Sequence, residues 1–162
     1  MASEEELPTE VPVPQVPVIE GWFTLDPPAL LGRRCPQCGT YMFPPTGQWC
    51  PNPRCDCDEL ETVPLSRTGT VWSYTDAQYQ PPAPYVAPTD PYEPFAIAAV
   101  ELETERIVVL GQVADGFGVG DLAVGTPVEL VIEPQETIAM ETRLVWRWRP
   151  IQETIDREED GQ

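Results

Sequence analysis

Two short cysteine pairs constrain the fold of this chain more than any other feature. Cys35 and Cys38 form one pair, and Cys50 and Cys55 form the other. Two close pairs of thiolates, each on its own turn, can converge on one tetrahedral metal ion, and zinc suits four sulfur ligands. The sequence therefore predicts one Zn²⁺ per chain, bound by these four residues.

The fifth cysteine leaves the fourth ligand open. The second pair is wider than the usual spacing, and Cys57 is an alternative to Cys55 across a looser loop. Buried free thiols or disulfides are the non-metal alternatives. The chain begins with an acidic stretch rather than a signal peptide, and no apolar run approaches the ~18 residues that cross a membrane. We therefore expect a cytoplasmic protein, where reducing conditions favour a metal over disulfides.

The charge and composition exclude several functions. The formal net charge is −18, all nine basic residues are arginine, and neither lysine nor histidine occurs. Such an acidic surface repels nucleic acid and anionic lipid over a Debye length of about 10 Å. The chain has no histidine base and no Schiff-base lysine, and its carboxylates, tyrosines and Cys57 form no recognisable catalytic motif. An enzyme that uses carboxylates alone is the alternative to a non-catalytic role. We expect no nucleic-acid partner, no membrane, no catalytic residues and no enzyme activity on its own.

Three arginines lie beside the cysteines. Arg33 and Arg34 precede Cys35, and Arg54 precedes Cys55. Four thiolates and one zinc ion carry a formal charge of about −2, which nearby guanidinium groups would offset. Solubility or chance explains the same placement equally well.

The sequence divides into two compact parts between two tails. Residues 1–20 are acidic and rich in proline, which predicts an extended or disordered tail, and residues 151–162 form an acidic C-terminal tail. Residues 21–64 hold the cysteines and predict a rubredoxin-like zinc ribbon. A unit this small buries too little surface to be stable alone, so we expect the metal to supply folding free energy.

The sequence of residues 65–150 predicts an all-β domain. Apolar, β-branched and aromatic residues predict strands over 70–79, 95–102, 106–114, 126–133 and 142–149. The second of these is apolar enough for burial on both faces. In the last, Leu144, Trp146 and Trp148 are predicted to face inward and Val145, Arg147 and Arg149 outward. Five strands predict an OB-fold barrel and a mainly β protein, with a β-sandwich as the competing fold.

A long loop joins the first two of these strands. Residues 80–94, the proline-rich loop, contain six prolines together with Tyr85 and Tyr92, and Tyr79 lies at its start. Loops longer than ~12 residues in compact domains are commonly functional or disordered. Aromatic and proline side chains make good interface anchors, which predicts a partner-binding loop. The alternative is a loop that packs on its own barrel.

Several motifs together resemble one known family. They are Cys35-x-x-Cys38, Phe43-Pro44-Pro45, Cys50-Pro51, Gly69-Thr70-Val71-Trp72-Ser73-Tyr74, the PPAPY run at 81–85, Val109-Leu110-Gly111 and Gly125-Thr126-Pro127-Val128. This set resembles the acyl-CoA-associated zinc-ribbon/OB-fold proteins over residues 21–150. The resemblance implies a non-catalytic subunit that binds a thiolase-fold enzyme, often in a two-plus-two assembly. It also implies a shared acyl-CoA substrate, with thiolysis, retro-aldol cleavage of steroid side-chain CoA esters or transfer between thiolase and synthase as the chemistry.

The charge of the chain agrees with a shared substrate. Coenzyme A is polyanionic, so an acidic chain without lysine is poorly suited to hold its phosphates, and we expect the partner to supply the basic contacts. The predicted contacts to partner or acyl-CoA are Trp72, Tyr74, Tyr79, Pro82, Pro84, Tyr85 and Tyr92. A nucleic-acid-binding zinc-ribbon/OB protein and a rubredoxin-like iron protein for electron transfer are the alternatives.

Overall fold

Two β-sheets make up the part of the chain that the computed structural model describes, residues 15–83, 85, 87–136 and 142–151. The smaller sheet holds β2 (Phe23–Leu25), β3 (Pro28–Arg34), β4 (Tyr41–Met42) and β5 (Glu61–Pro64). Its strand β3 pairs with β2 through its first half and with both β4 and β5 through its second half. These residues contain no α-helix, and hence no helix long and apolar enough to span a membrane.

The larger sheet contains all five strands predicted for the second part. It is built from β1 (Val16–Pro17), β6 (Thr68–Ala77), β7 (Phe95–Leu102), β8 (Val108–Gln112), β9 (Pro127–Glu136) and β10 (Thr142–Pro150). The strands follow the order β1-β10-β9-β6-β7-β8, and a 3₁₀ turn at Val119–Asp121 precedes β9. The sheet curls into a half-barrel, with one bridge between Val113 and Trp148 where its two ends approach. The mainly β class and the OB-type fold are confirmed, and a two-sheet sandwich is wrong for this part.

Burial alternates along β7. Ala96, Ala98, Val100 and Leu102 are buried, whereas the residues between them are half-buried. The prediction of burial on both faces of this strand is therefore wrong for the outer face, which is only partly covered, whereas the inner face lies against the core.

Strand β1 belongs to the segment predicted to be an extended or disordered tail. Val16 and Pro17 pair in parallel with Arg143 and Leu144 of β10, and the amide of Val18 donates to the carbonyl of Leu144 at 2.8 Å. Residues 1–14 and 152–162, which hold the rest of the two predicted tails, lie outside the described residues.

One hydrophobic core spans both sheets. Phe23 and Leu30 of the smaller sheet belong to the same buried cluster as Leu65 and the inner residues of the half-barrel. Trp148 is fully buried in this cluster. Burial of a large apolar side chain stabilises a fold by about 1.5–3 kcal/mol, so each sheet contributes to the stability of the other.

A series of aromatic rings connects the two sheets. Trp22 packs edge-on against Phe43 with 5.5 Å between ring centroids, Phe43 packs against Trp146 at 6.0 Å, and Trp146 packs against Trp148 at 6.0 Å. The ring of Trp146 lies directly over Gly111 of β8, where a Cβ atom would clash with it. We call the rings of Trp22, Phe43, Trp146 and Trp148 the aromatic ladder. The ladder fills the space where β8 approaches β10.

Strand β10 shows one clear departure from its predicted pattern. Leu144 and Trp148 are buried as predicted, and Arg147 points away from that core, yet Arg147 is only 5% exposed. Its guanidinium contacts Asp115, Glu133 at 3.3 Å and Gln135 at 2.8 Å. The expectation that Arg147 is exposed is wrong because acidic and amide side chains of β9 and of the segment after β8 cover it.

Candidate metal site and binding surface

Four cysteine sulfurs meet at one end of the smaller sheet. The Sγ atoms of Cys35, Cys38, Cys50 and Cys55 all lie within 4.8 Å of one another. The Sγ atoms of Cys38 and Cys50 are 3.5 Å apart, and those of Cys35 and Cys55 are 3.7 Å apart. A tetrahedron of sulfurs at about 2.3 Å from zinc has edges of about 3.8 Å. The four residues are therefore spaced to hold one tetrahedral metal ion.

The first pair lies on a tight turn at the end of β3. The amide of Cys35 donates to the carbonyl of Thr40, and the amide of Gly39 donates back to the carbonyl of Cys35, both at 2.9 Å. Gly39 has φ +74°, a left-handed conformation that glycine adopts without steric cost. This turn aims both sulfurs of the pair toward the same point.

The second pair is held by a wider loop. The amide of Cys55 donates to the carbonyl of Asn52 at 2.9 Å, and the amide of Cys50 donates to the carbonyl of Cys57 at 2.9 Å. An extra turn at Asn52 thus absorbs the additional residues of this pair. The sulfur of Cys57 lies outside the cluster and donates to the carbonyl of Glu59 at 3.5 Å. The structure therefore brings Cys55, rather than Cys57, into the group of four.

The thiols of the cluster differ in acidity. The Thr40 hydroxyl, 3.1 Å from the Cys38 sulfur, lowers the pKa of Cys38 to about 6. The backbone of Cys57 lowers the pKa of Cys55, but burial and the three neighbouring thiols outweigh it and raise that pKa to about 12. All four sulfurs can be deprotonated together only with a cation among them, which is the chemistry of a metal site. Sequence reasoning missed Thr40, although a hydroxyl residue directly after the knuckle glycine is the signal for it.

Arg33 does not contact a cysteine sulfur. Its guanidinium donates to the carbonyl of Gly47 at 2.7 Å and to the carbonyl of Leu60 at 2.8 Å. Gly47 precedes the second cysteine pair and Leu60 follows it. Arg33 therefore ties together the two ends of the loop that carries Cys50 and Cys55.

Three of the predicted contact residues form an exposed aromatic surface. Strand β6 has a bulge between Val71 and Ser73, and Trp72 within it is 63% exposed. Tyr74 on the same strand is 39% exposed, and Tyr79, just beyond it, is 77% exposed. We call Trp72, Tyr74 and Tyr79 the aromatic surface. Exposed aromatic side chains on a strand and just beyond its end are of the kind enriched at interfaces.

The tyrosines of the proline-rich loop instead rest on the barrel. Tyr85 stacks on Phe95 with 5.9 Å between centroids, and Tyr92 packs against Phe95 edge-on at 6.4 Å. The Tyr92 hydroxyl donates to the carbonyl of Ala77 at 2.6 Å. Burial raises the pKa of both phenols. The loop is therefore packed in part on its own barrel; Pro82 is exposed, and Pro84 lies outside the described residues.

Comparisons with known proteins find a matching family model and two similar proteins. Residues 62–133 match the family model described as ChsH2, C-terminal OB-fold domain. A DUF35 domain-containing scaffold protein of Methanocaldococcus jannaschii is 36% identical over 104 residues, which are 63% of this chain and 66% of that protein. The benzoylsuccinyl-CoA thiolase subunit BbsA of Thauera aromatica is 45% identical over 49 residues, which are 30% of this chain and 32% of that protein. The chain thus spans only part of either relative's length.

A solved structure extends the likeness to the fold. A chain of the Ltp2-ChsH2(DUF35) aldolase superposes with a TM-score of 0.54 at 30% identity. The superposition covers 75% of this chain and 84% of that one.

Proposed function

Because the chain belongs to the acyl-CoA-associated OB-fold DUF35 family, we propose that it is the non-catalytic, zinc-containing subunit of a thiolase-fold enzyme. Its relatives are named as a scaffold protein, a thiolase subunit and part of an aldolase. In this proposal the partner holds the catalytic residues. This chain binds the partner and helps to form the acyl-CoA site, with thiolysis or retro-aldol cleavage as the reaction.

The observation that carries the proposal is the aromatic surface. Trp72 and Tyr79 expose most of their rings on a chain that is otherwise strongly acidic. Such rings are the residues that supply most of the binding free energy at protein interfaces. The same surface offers an apolar wall to the acyl or pantetheine part of an acyl-CoA held by the partner.

The contacts of the arginines support binding of the coenzyme A phosphates by the partner rather than by this chain. Several of them already have partners within the chain, namely Arg33, Arg34, Arg106, Arg147 and Arg149. A guanidinium committed to carbonyls, carboxylates or, for Arg34, the Tyr41 ring is not available for a phosphate without breaking that contact. The proposal therefore assigns the coenzyme A phosphates to basic residues of the thiolase-fold enzyme.

The finer predictions belong to the same proposal. The ion at the four cysteines is proposed to be zinc, one per chain, with a structural role because all four positions are taken by protein sulfurs. A two-plus-two assembly, a cytoplasmic location and steroid or lipid side-chain CoA esters as substrates stay predictions.

Co-expression of the tagged chain with a thiolase-fold enzyme of its own organism tests the proposal. We expect the two proteins to copurify, and elemental analysis to find about one zinc per chain. We expect acyl-CoA turnover by the complex and none by the isolated chain. Failure to copurify, or robust thioester cleavage by the chain alone, would overturn the proposal. If the oxidised protein is red and contains iron, the four cysteines form a rubredoxin-like iron centre rather than a zinc site.

A further inference from the structure

A cavity opens at the end of the proline-rich loop, where Pro94 and Phe95 form part of its wall. Its volume is about 330 Å³, and it lies between the end of β6, the beginning of β7 and the segment that follows β8. Phe95, Phe117 and Val119 contribute apolar walls, and Asp76 and Asp115 contribute carboxylates. Small-ligand sites begin at about 300 Å³, so the cavity is large enough for one side chain of a partner.

Negative charge is in excess around this cavity. Arg147 contacts both Asp115 and Glu133, so a single guanidinium serves two carboxylates. The Asp76 carboxylate accepts a hydrogen bond from the neutral side-chain amide of Gln78. Because Arg147 is shared between Asp115 of the cavity wall and Glu133, and Asp76 contacts a neutral amide, the cavity is able to attract a further cation.

The walls favour an organic cation over a metal ion. Among the described residues, the one group spaced to hold a metal is the four cysteines, so the carboxylates at this cavity do not form a second such group. A guanidinium is planar, binds carboxylates and packs well on aromatic faces, while its aliphatic stem suits apolar walls. Phe95, Phe117 and the two aspartates supply both kinds of contact.

We propose that this cavity receives an arginine side chain of the thiolase-fold partner. The inference rests on the proposed function and deepens it by naming the chemistry of one contact. Asp76 of the cavity wall lies between Tyr74 and Tyr79 along the chain, so the cavity adjoins the aromatic surface assigned to the partner. An acidic cavity next to apolar rings explains how a strongly acidic subunit selects a partner with a complementary basic residue.

Two measurements on the zinc-loaded full chain test the inference. The first is an NMR titration of the isolated chain with N-acetyl-L-arginine methylamide, with the neutral glutamine analogue as the control probe. We expect saturable shifts at the amides of Gly116 and Gly118 for the arginine probe alone. Asp76→Asn should weaken that binding about tenfold, whereas Glu61→Gln, an exposed charge on the smaller sheet, should leave it unchanged.

The second measurement is the affinity of the same variants for the thiolase-fold enzyme by calorimetry. Asp76→Asn should weaken the complex about tenfold in low salt and less in high salt, and Glu61→Gln should match the wild type. A wild-type complex whose affinity does not change in Asp76→Asn would overturn the inference and leave the proposed function standing. Absence of any complex would overturn the proposed function, and with it the assignment of the arginine to a thiolase-fold enzyme. An arginine probe that shifts no cavity amide, or acts like the glutamine probe, would overturn the cavity's cation preference.

Discussion

The ring of Phe43 stands edge-on to the ring of Trp146, with 6.0 Å between centroids and 88° between planes. Phe43 follows β4 and lies between the two cysteine pairs, whereas Trp146 belongs to β10 of the half-barrel. Trp22 and Trp148 extend the contact on either side. The chain segment between the two cysteine pairs is thus the same segment that packs against the barrel.

We expect Phe43→Ala to lower the free energy of unfolding by about 2 kcal/mol, because it removes a half-buried ring and two aromatic contacts. Urea denaturation followed by circular dichroism measures the change. Trp49→Ala is the matched control, since Trp49 is an aromatic residue of the same ribbon that is 63% exposed. Equal effects of the two substitutions would contradict a role of the aromatic ladder in stability.

Gly111→Ala should destabilise the protein by about 1–3 kcal/mol, the usual cost of overpacking a core. A Cβ atom at this position clashes with the Trp146 ring and comes within 2.8 Å of Trp148 Nε1. Gly120→Ala is the control because a Cβ atom there meets nothing within 4 Å. Thermal denaturation compares both variants with the wild type, and an unchanged melting temperature in Gly111→Ala would contradict the close approach.

Periodic apolar patterns predicted the strands of the half-barrel, because alternation along each strand directly reflects one buried face. The cysteine spacing predicted the sulfur cluster for an equally local reason, since each pair sits on its own turn. The burial of Arg147 depends on Asp115 and Glu133, which are distant in sequence. The packing of Tyr85 on Phe95 likewise depends on how the proline-rich loop folds back. No local sequence pattern predicts either contact.

Replacement of single cysteines distinguishes the fourth ligand. Cys55→Ser should lose the bound metal and unfold the ribbon, because the Cys55 sulfur belongs to the cluster of four. Cys57→Ser should keep the metal, since the Cys57 sulfur faces the Glu59 carbonyl instead. Elemental analysis of both purified variants measures the outcome. Metal loss in Cys57→Ser together with retention in Cys55→Ser would contradict the assignment.

Arg147→Ala should cost about 2 kcal/mol of stability, because a buried guanidinium that neutralises two carboxylates is removed. The expected cost is below that of a fully buried pair because the Asp115 side chain is 75% exposed. Arg149→Ala removes an exposed pair with Glu129 and should cost under about 1 kcal/mol. The denaturant midpoints of the two variants provide the comparison. Equal midpoints would show that the burial of Arg147 adds nothing to the free energy of unfolding.

Tyr85 of the proline-rich loop and Tyr79 of the aromatic surface should respond differently to substitution. Tyr85→Ala should weaken association with the thiolase-fold enzyme by about 2 kcal/mol, roughly thirtyfold, and should also lower the melting temperature of the free chain because Tyr85 stacks on Phe95. Tyr79→Ala should weaken association without changing that temperature, since Tyr79 is 77% exposed. Calorimetry at low and high salt, together with thermal denaturation, separates the two effects.

Trp49→Ala again supplies an exposed aromatic control, on the ribbon rather than beside the loop. Affinity that is unchanged in both tyrosine variants but reduced in Trp49→Ala would place the interface on the ribbon. Apolar contacts lose little affinity in salt because they are not screened, so we expect most of the wild-type affinity to persist in high salt. Complete loss of binding in high salt would instead identify the acidic surface, meeting a basic partner, as the main source of affinity.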